Sequence, residues 1–158
     1  MREDAEISTT IANLRALISE VSSYYVGHGT FGDVPWNDVT NVLLKKANNT
    51  NITNADLITT AADGTNTGAY LAAGGRACIG VHLVNRQNRT DGTYSPAHIQ
   101  LVAHNNANTA GSVCQQVRNS QVVTDYFNST VPGTGTTPIS AAIPVGSTKG
   151  IYRAAPSS

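Results

Sequence analysis

Ile7, Ile11, Leu14, Leu17, Ile18, Val21, Tyr24 and Tyr25 recur at steps of three and four residues, the spacing of one face of an α-helix. Arg2, Glu3, Asp4, Glu6, Asn13, Arg15 and Glu20 fall largely off that stripe. The pattern predicts a helix from about Asp4 to Tyr25, ending before Gly27 and Gly29. An apolar stripe this wide needs a surface to cover, so the helix is expected to pack along a sheet.

Candidate strands follow. In the run CIGVHLV, Ile79, Val81 and Leu83 alternate with Cys78, Gly80 and His82, so one face is apolar. HIQLVAH repeats the alternation, with Ile99, Leu101 and Ala103 on one side. The two runs are expected to lie antiparallel, joined by a polar connection from Asn85 to Pro96 with a turn at Asp91-Gly92. The glycines Gly74-Gly75 read as a turn before the first strand. Upstream, Asp33, Pro35 and late Lys45 and Lys46 frame a short helix from Trp36 to Ala47, with Trp36 as a core anchor. Asn48 to Thr60 reads as loop. Ser112, with Gln115 three residues on, is a capping box that starts a helix running to about Asn119. Gln121 to Phe127 fits helix and strand equally. Short strands are expected at Ile139 to Val145 and Gly150 to Ala154, the first held at an edge or an end by Pro144.

With 158 residues there is room for one domain with a real core: a helix over residues 1–26, a loop with a short helix over 27–75, and the sheet over 76–158. The fold class is therefore α+β. Charged residues make up only 13% and the net charge is zero, so the chain carries no cationic surface for a phosphate backbone, and no nucleic-acid partner is expected. No run reaches the about 18 apolar residues of a membrane span. Asn, Thr, Ser and Gln fill roughly a third of the chain, a surface of hydroxyls and amides that leans towards export. The N-terminal residues do not form a signal peptide.

Cys78 and Cys114 are the only cysteines. Two readings stand: a structural disulfide, favoured by the export-like composition, and a nucleophilic thiol paired with His82 or His98. His82, His98 and His104 fall on the polar faces of their strands, without a carboxylate at a ligand-like spacing. Solvated histidines are the expectation there, and no metal or cofactor is expected. No G-x-S-x-G or phosphate-binding loop is present. Four Asn-x-Ser/Thr sequons, at Asn48, Asn51, Asn88 and Asn128, are unremarkable in a chain so rich in Asn and Thr.

The stretch TIANLRALISEVSSYY, the segment from Trp36 through NITNADLI, Cys78 at a strand start and Cys114 within SVCQQV together resemble the globular head of a type IVb pilin. The resemblance implies a filament subunit and no enzyme. Its front half-helix would span the inner membrane before assembly and lies outside these residues. It implies a Cys78–Cys114 disulfide and a packing face of Ile7, Ile11, Leu14, Leu17, Ile18 and Val21. Partners would be other copies in a surface filament, a monomeric state for this head alone, and a host-cell or recipient-cell receptor. Within the bracketed region, Asn85, Arg86, Asn88, Asp91 and Tyr94 are the candidate recognition residues. A minor pilin or a pseudopilin fits the same residues. Two other classes compete: a secreted module binding glycan or protein through Asn/Thr-rich loops, and a small extracellular Cys–His hydrolase.

Overall fold

A computed structural model describes residues 2–32, 34–53, 56–58, 69–88, 90, 92–133 and 137–145. Helix α1 runs from Arg2 to His28, longer at both ends than the stripe required. Gly27 stays helical. The chain leaves the helix at Gly29, whose φ of +76° only glycine adopts at little cost, and whose N–H closes the last turn on the Tyr25 carbonyl at 2.7 Å. His28 donates through Nδ1 to the Tyr24 carbonyl and stacks on the Tyr24 ring, which extends the helix one turn past its apolar stripe.

The expected packing face is the buried one. Leu14, Leu17 and Val21 are fully buried, while Ile7, Ile11 and Ile18 flank them half-buried against the same core. Thr10, a polar residue inside the stripe, is also buried. Its hydroxyl donates to the Glu6 carbonyl at 2.9 Å, so the burial leaves no unmade bond.

Beneath α1 lies a five-stranded antiparallel sheet in the order β1-β2-β3-β6-β9. Its strands are β1 (Leu44–Lys45), β2 (Ala69–Ala73), β3 (Arg76–Val84), β6 (His98–Ala103) and β9 (Ala142–Pro144). Two-stranded ribbons decorate it: β4 (Gln87–Asn88) with β5 (Tyr94–Ser95), and β7 (Thr130–Val131) with β8 (Ile139–Ser140). The pairing Leu83↔Ile99, Val81↔Leu101 and Ile79↔Ala103 puts both expected apolar sets on one face, in register.

Strand β2 went unseen in the sequence because AYLAA is alanine-rich and carries little strand signal of its own. Gly74 and Gly75, both at positive φ, turn it directly into β3. Opposite β2, Leu71 pairs with Ile79 but Ala72 pairs with Ala77, so Cys78 is the extra residue of a bulge. The bulge breaks the alternation that placed Cys78 beside Gly80 and His82. Cys78 is instead fully buried in the core and bonded to Cys114.

The expected helix from Trp36 to Ala47 is corrected to a single turn, α2 (Trp36–Val39). Thr40 is extended, and its hydroxyl and the Asn41 N–H both donate to Glu20 Oε1 at 2.7 Å. The carboxylate of α1 thus holds the backbone away from the helix, and β-branched Val39, Thr40 and Val42 favour that outcome. The chain then enters β1, with Leu43 exposed just before it and Leu44 buried within it. Trp36 is a core anchor, 2% exposed.

The helix at Ser112 forms as expected: α3 (Val113–Asn119), with Ser112 Oγ accepting from the Gln115 N–H. Gln115 Oε1 reaches back to the Gly111 N–H, one residue before the cap. The ambiguous segment is helix α4 (Gln121–Phe127), started by Ser120, which ends α3 and caps α4 at one extended residue. The strand expected from Ile139 to Val145 is cut in two by Ala141, at φ +55°, so β8 pairs with β7 while β9 pairs with β6. Pro144 ends the edge strand, as its missing N–H requires. The strand expected at Gly150 to Ala154 lies outside the described residues.

On the face turned away from α1, Tyr70, Gly80 and Val102 form one row across β2, β3 and β6. A Cβ at Gly80 would overlap Val102 Cγ2 and come within 2.9 Å of the Tyr70 ring. The Tyr70 ring packs over the glycine and also makes an edge contact with His104. Gly80→Ala is therefore expected to lower stability by about 1–3 kcal/mol, the usual cost of overpacking, in a urea titration. A change under about 0.5 kcal/mol, the range of an ordinary surface substitution, would show that the row repacks freely.

His98 is not the solvated strand-face residue the sequence led us to expect. It is 2% exposed, and its Nδ1 donates to the Pro96 carbonyl at 2.9 Å. Burial pushes its pKa below the ordinary 6.5, an effect that the bond to Pro96 only opposes in part. Burial lowers His82 in the same direction. A folded-state value below the unfolded one means the unfolded chain binds more protons, so stability is full above 6.5 and declines as pH falls through that value towards the folded one. Unfolding free energy is expected to decrease from about pH 7 to about pH 5. His98→Asn, which keeps a donor for Pro96, should flatten that slope. An unchanged slope would assign the decline to other groups.

Candidate functional site

The region between the cysteines is assembled on β3 and β6, which supply its rigid floor. The disulfide joins the bulge of β3 to α3, so neither sulfur is a thiol, and the Cys–His arrangement loses its nucleophile. A 3-10 helix at Asn105–Asn108 leads from β6 towards α3. Its Asn106 carboxamide donates to the Ala77 carbonyl at 2.8 Å and to Asn49 Oδ1 at 3.3 Å, while Asn49 Oδ1 also accepts from the Ala77 N–H. His104 Nδ1 accepts from the Asn106 N–H, which leaves its Nε2 to donate to the Ala47 carbonyl at 2.9 Å. These bonds dock the 47–51 turn on the bracketed region. Periodicity carries no sign of this docking. The only local signal is Asn49 itself, in an Asn-Asn-Thr turn and at φ +72°, where asparagine is among the few tolerated residues.

The five candidate recognition residues divide. Arg86, Asn88 and Tyr94 come together on the β4–β5 ribbon, where Asn88 pairs with Tyr94 across the strands. The Arg86 guanidinium lies 3.8 Å from the centre of the Tyr94 ring, and its Nε donates to Asn88 Oδ1 at 3.1 Å. Arg86 and Asn88 are exposed, and Tyr94 is half-buried. Asn85 also makes a tie within the fold: its Oδ1 accepts from the Phe31 N–H at 2.9 Å and anchors the ribbon to the loop after α1. Asp91 lies outside the described residues.

The resulting surface is a cation held over an aromatic ring beside a carboxamide, suited to hydrogen bonding with a partner. His82 and His98 share one face of the sheet but belong to different rows. Among the described residues, no three His, Cys, Asp or Glu side chains gather as metal ligands. No helix among them is long and apolar enough to cross a membrane. No protein-family model, curated protein or solved structure matches this chain.

Proposed function

We propose that the chain is the globular head of a type IV pilin-like subunit, a structural component of a surface filament. One observation carries the reading: a 27-residue N-terminal helix buries one side on an antiparallel sheet whose central strand is stapled by a disulfide to a short helix. In such a subunit an apolar segment continuous with α1 bundles in the filament core, and the heads tile the outside. The low charge supports this arrangement, since neutral polar heads pack closely without repelling one another. The Arg86–Tyr94 patch then serves as contact surface, towards a neighbouring head or a receptor on another cell. Immunogold labelling of the source cells with antiserum raised against this chain tests the reading. Gold strung along thin filaments is expected, absent after gene deletion and restored by complementation. Antigen dispersed in the medium, or spread over cells without filaments, would sink it.

A further inference from the structure

A polar cleft lies between α1 and the residues of α2 and the segment that follows it. It measures about 420 Å³, within the roughly 300–1,000 Å³ of small-molecule sites. From α1 it receives Ser19, Glu20, Ser23 and Tyr24, and from the opposite wall Asp38 and Asn41.

Two of these residues hold the walls together. Glu20 Oε1 accepts from the Thr40 hydroxyl and the Asn41 N–H, so the spacing between helix and loop is set by charge-assisted bonds. Tyr24 stacks on His28 with ring centres 3.9 Å apart and planes 11° from parallel, so the imidazole covers one face and the ring is fixed with only its opposite face to offer a ligand. Four of the other polar groups are uncommitted. The hydroxyls of Ser19 and Ser23, the carboxylate of Asp38 and the carboxamide of Asn41 make no side-chain hydrogen bond or ion pair among the described residues.

An aromatic wall with hydroxyl, carboxylate and carboxamide groups converging beside it is the complement of a sugar ring. The C–H face of a pyranose packs on an aromatic ring, whose π-face is electron-rich. Vicinal hydroxyls donate to a carboxylate and exchange bonds with an amide and with serines. Two carboxylates line this cleft and no basic side chain among the described residues does, which repels carboxylated, sulfated or phosphorylated sugars. We propose that this α1–α2 cleft binds a neutral pyranose unit of a glycan, with Tyr24 as its platform and Asp38 as its principal acceptor. The proposal does not depend on the filament reading, because every group in it belongs to this head; either can fail without the other.

Titration of the isotopically labelled chain with the methyl pyranosides of glucose, galactose, mannose and N-acetylglucosamine, followed by amide NMR shifts, provides the test. A single ring of this size is expected to bind at roughly millimolar strength. At least one of the four should give saturable shifts that centre on residues 19–24 and 37–41. Asp38→Asn and Tyr24→Ala should each weaken that binding about tenfold or more, whereas Gln121→Ala, on the exposed side of α4, should leave it unchanged. Asp38 is exposed, so its substitution leaves the fold intact, and dispersion of the remaining amide signals verifies this in the same spectra. No shift through about 50 mM of any of the four would overturn the proposal, since that lies far above a millimolar constant. Shifts that do not saturate, or that centre outside residues 19–24 and 37–41, would also overturn it.

Discussion

Replacing Cys78 and Cys114 together with alanine is expected to lower the unfolding free energy by about 4 kcal/mol, the chain-entropy value for releasing a loop of this length. The cysteines are 36 positions apart, so the bond removes a large set of open conformations from the unfolded chain. For a chain of this size each kilocalorie corresponds to roughly 2–4 °C, which places the expected drop in Tm at about 8–16 °C. The loss should also be uneven. Helix α3 has seven residues, too few to be stable alone, and it is held by Val117, Cys114 and its contact with α1. Hydrogen exchange is therefore expected to quicken first in α3, with the amides of β3 and β6 protected by their ladder until global unfolding. Calorimetry on the double variant checks the magnitude. A Tm within a few degrees of the parent would show that packing alone holds the bulge against α3. Thiol titration of the denatured, unreduced parent should find no reactive thiol.

Leu17→Ala is expected to cost about 3 kcal/mol, within the 2–5 typical of a leucine removed from a packed core. Leu17 is fully buried between Leu14 and Val21 on the covered side of α1, so truncation leaves a cavity as well as the lost transfer energy. Ile11→Ala, at a half-buried position on the same helix, should cost distinctly less, because solvent already reaches that side chain. Urea titration measures both, and a shift in midpoint without a change in slope assigns the effect to the native core. Equal costs would mean that α1 sits on the sheet in a different rotation from the one described.

These variants probe the parts of the fold that were legible in the residues. The α1 stripe, the alternation in β3 and β6, and the Ser112 cap are each written in fewer than about 25 neighbouring residues, where helix and strand periods act directly. The apolar stripe also called for a covering sheet. The Arg86, Asn88 and Tyr94 patch was half legible: a polar loop with a turn signal located it. Its division into Arg86, Asn88 and Tyr94 on one surface, with Asn85 as an inward tie to Phe31, depended on a bond across 54 positions.

The cysteines mark the boundary. Composition favoured their pairing, yet simple alternation put Cys78 on the wrong face, and only the bulge against β2 turned it into the core. Residues 40–45 show the same limit. Their side chains suit a helix as well as a strand, and the decision came from Glu20 on α1 and from the edge of β2. His98 was polar by pattern and buried by placement. By itself the sequence determined what each local period dictates: one long amphipathic helix, two alternating strands and a capped short helix. Tertiary structure decided where the chain departs from those periods, because a bulge, a strand edge or a buried histidine is stabilised by partners that no local window contains.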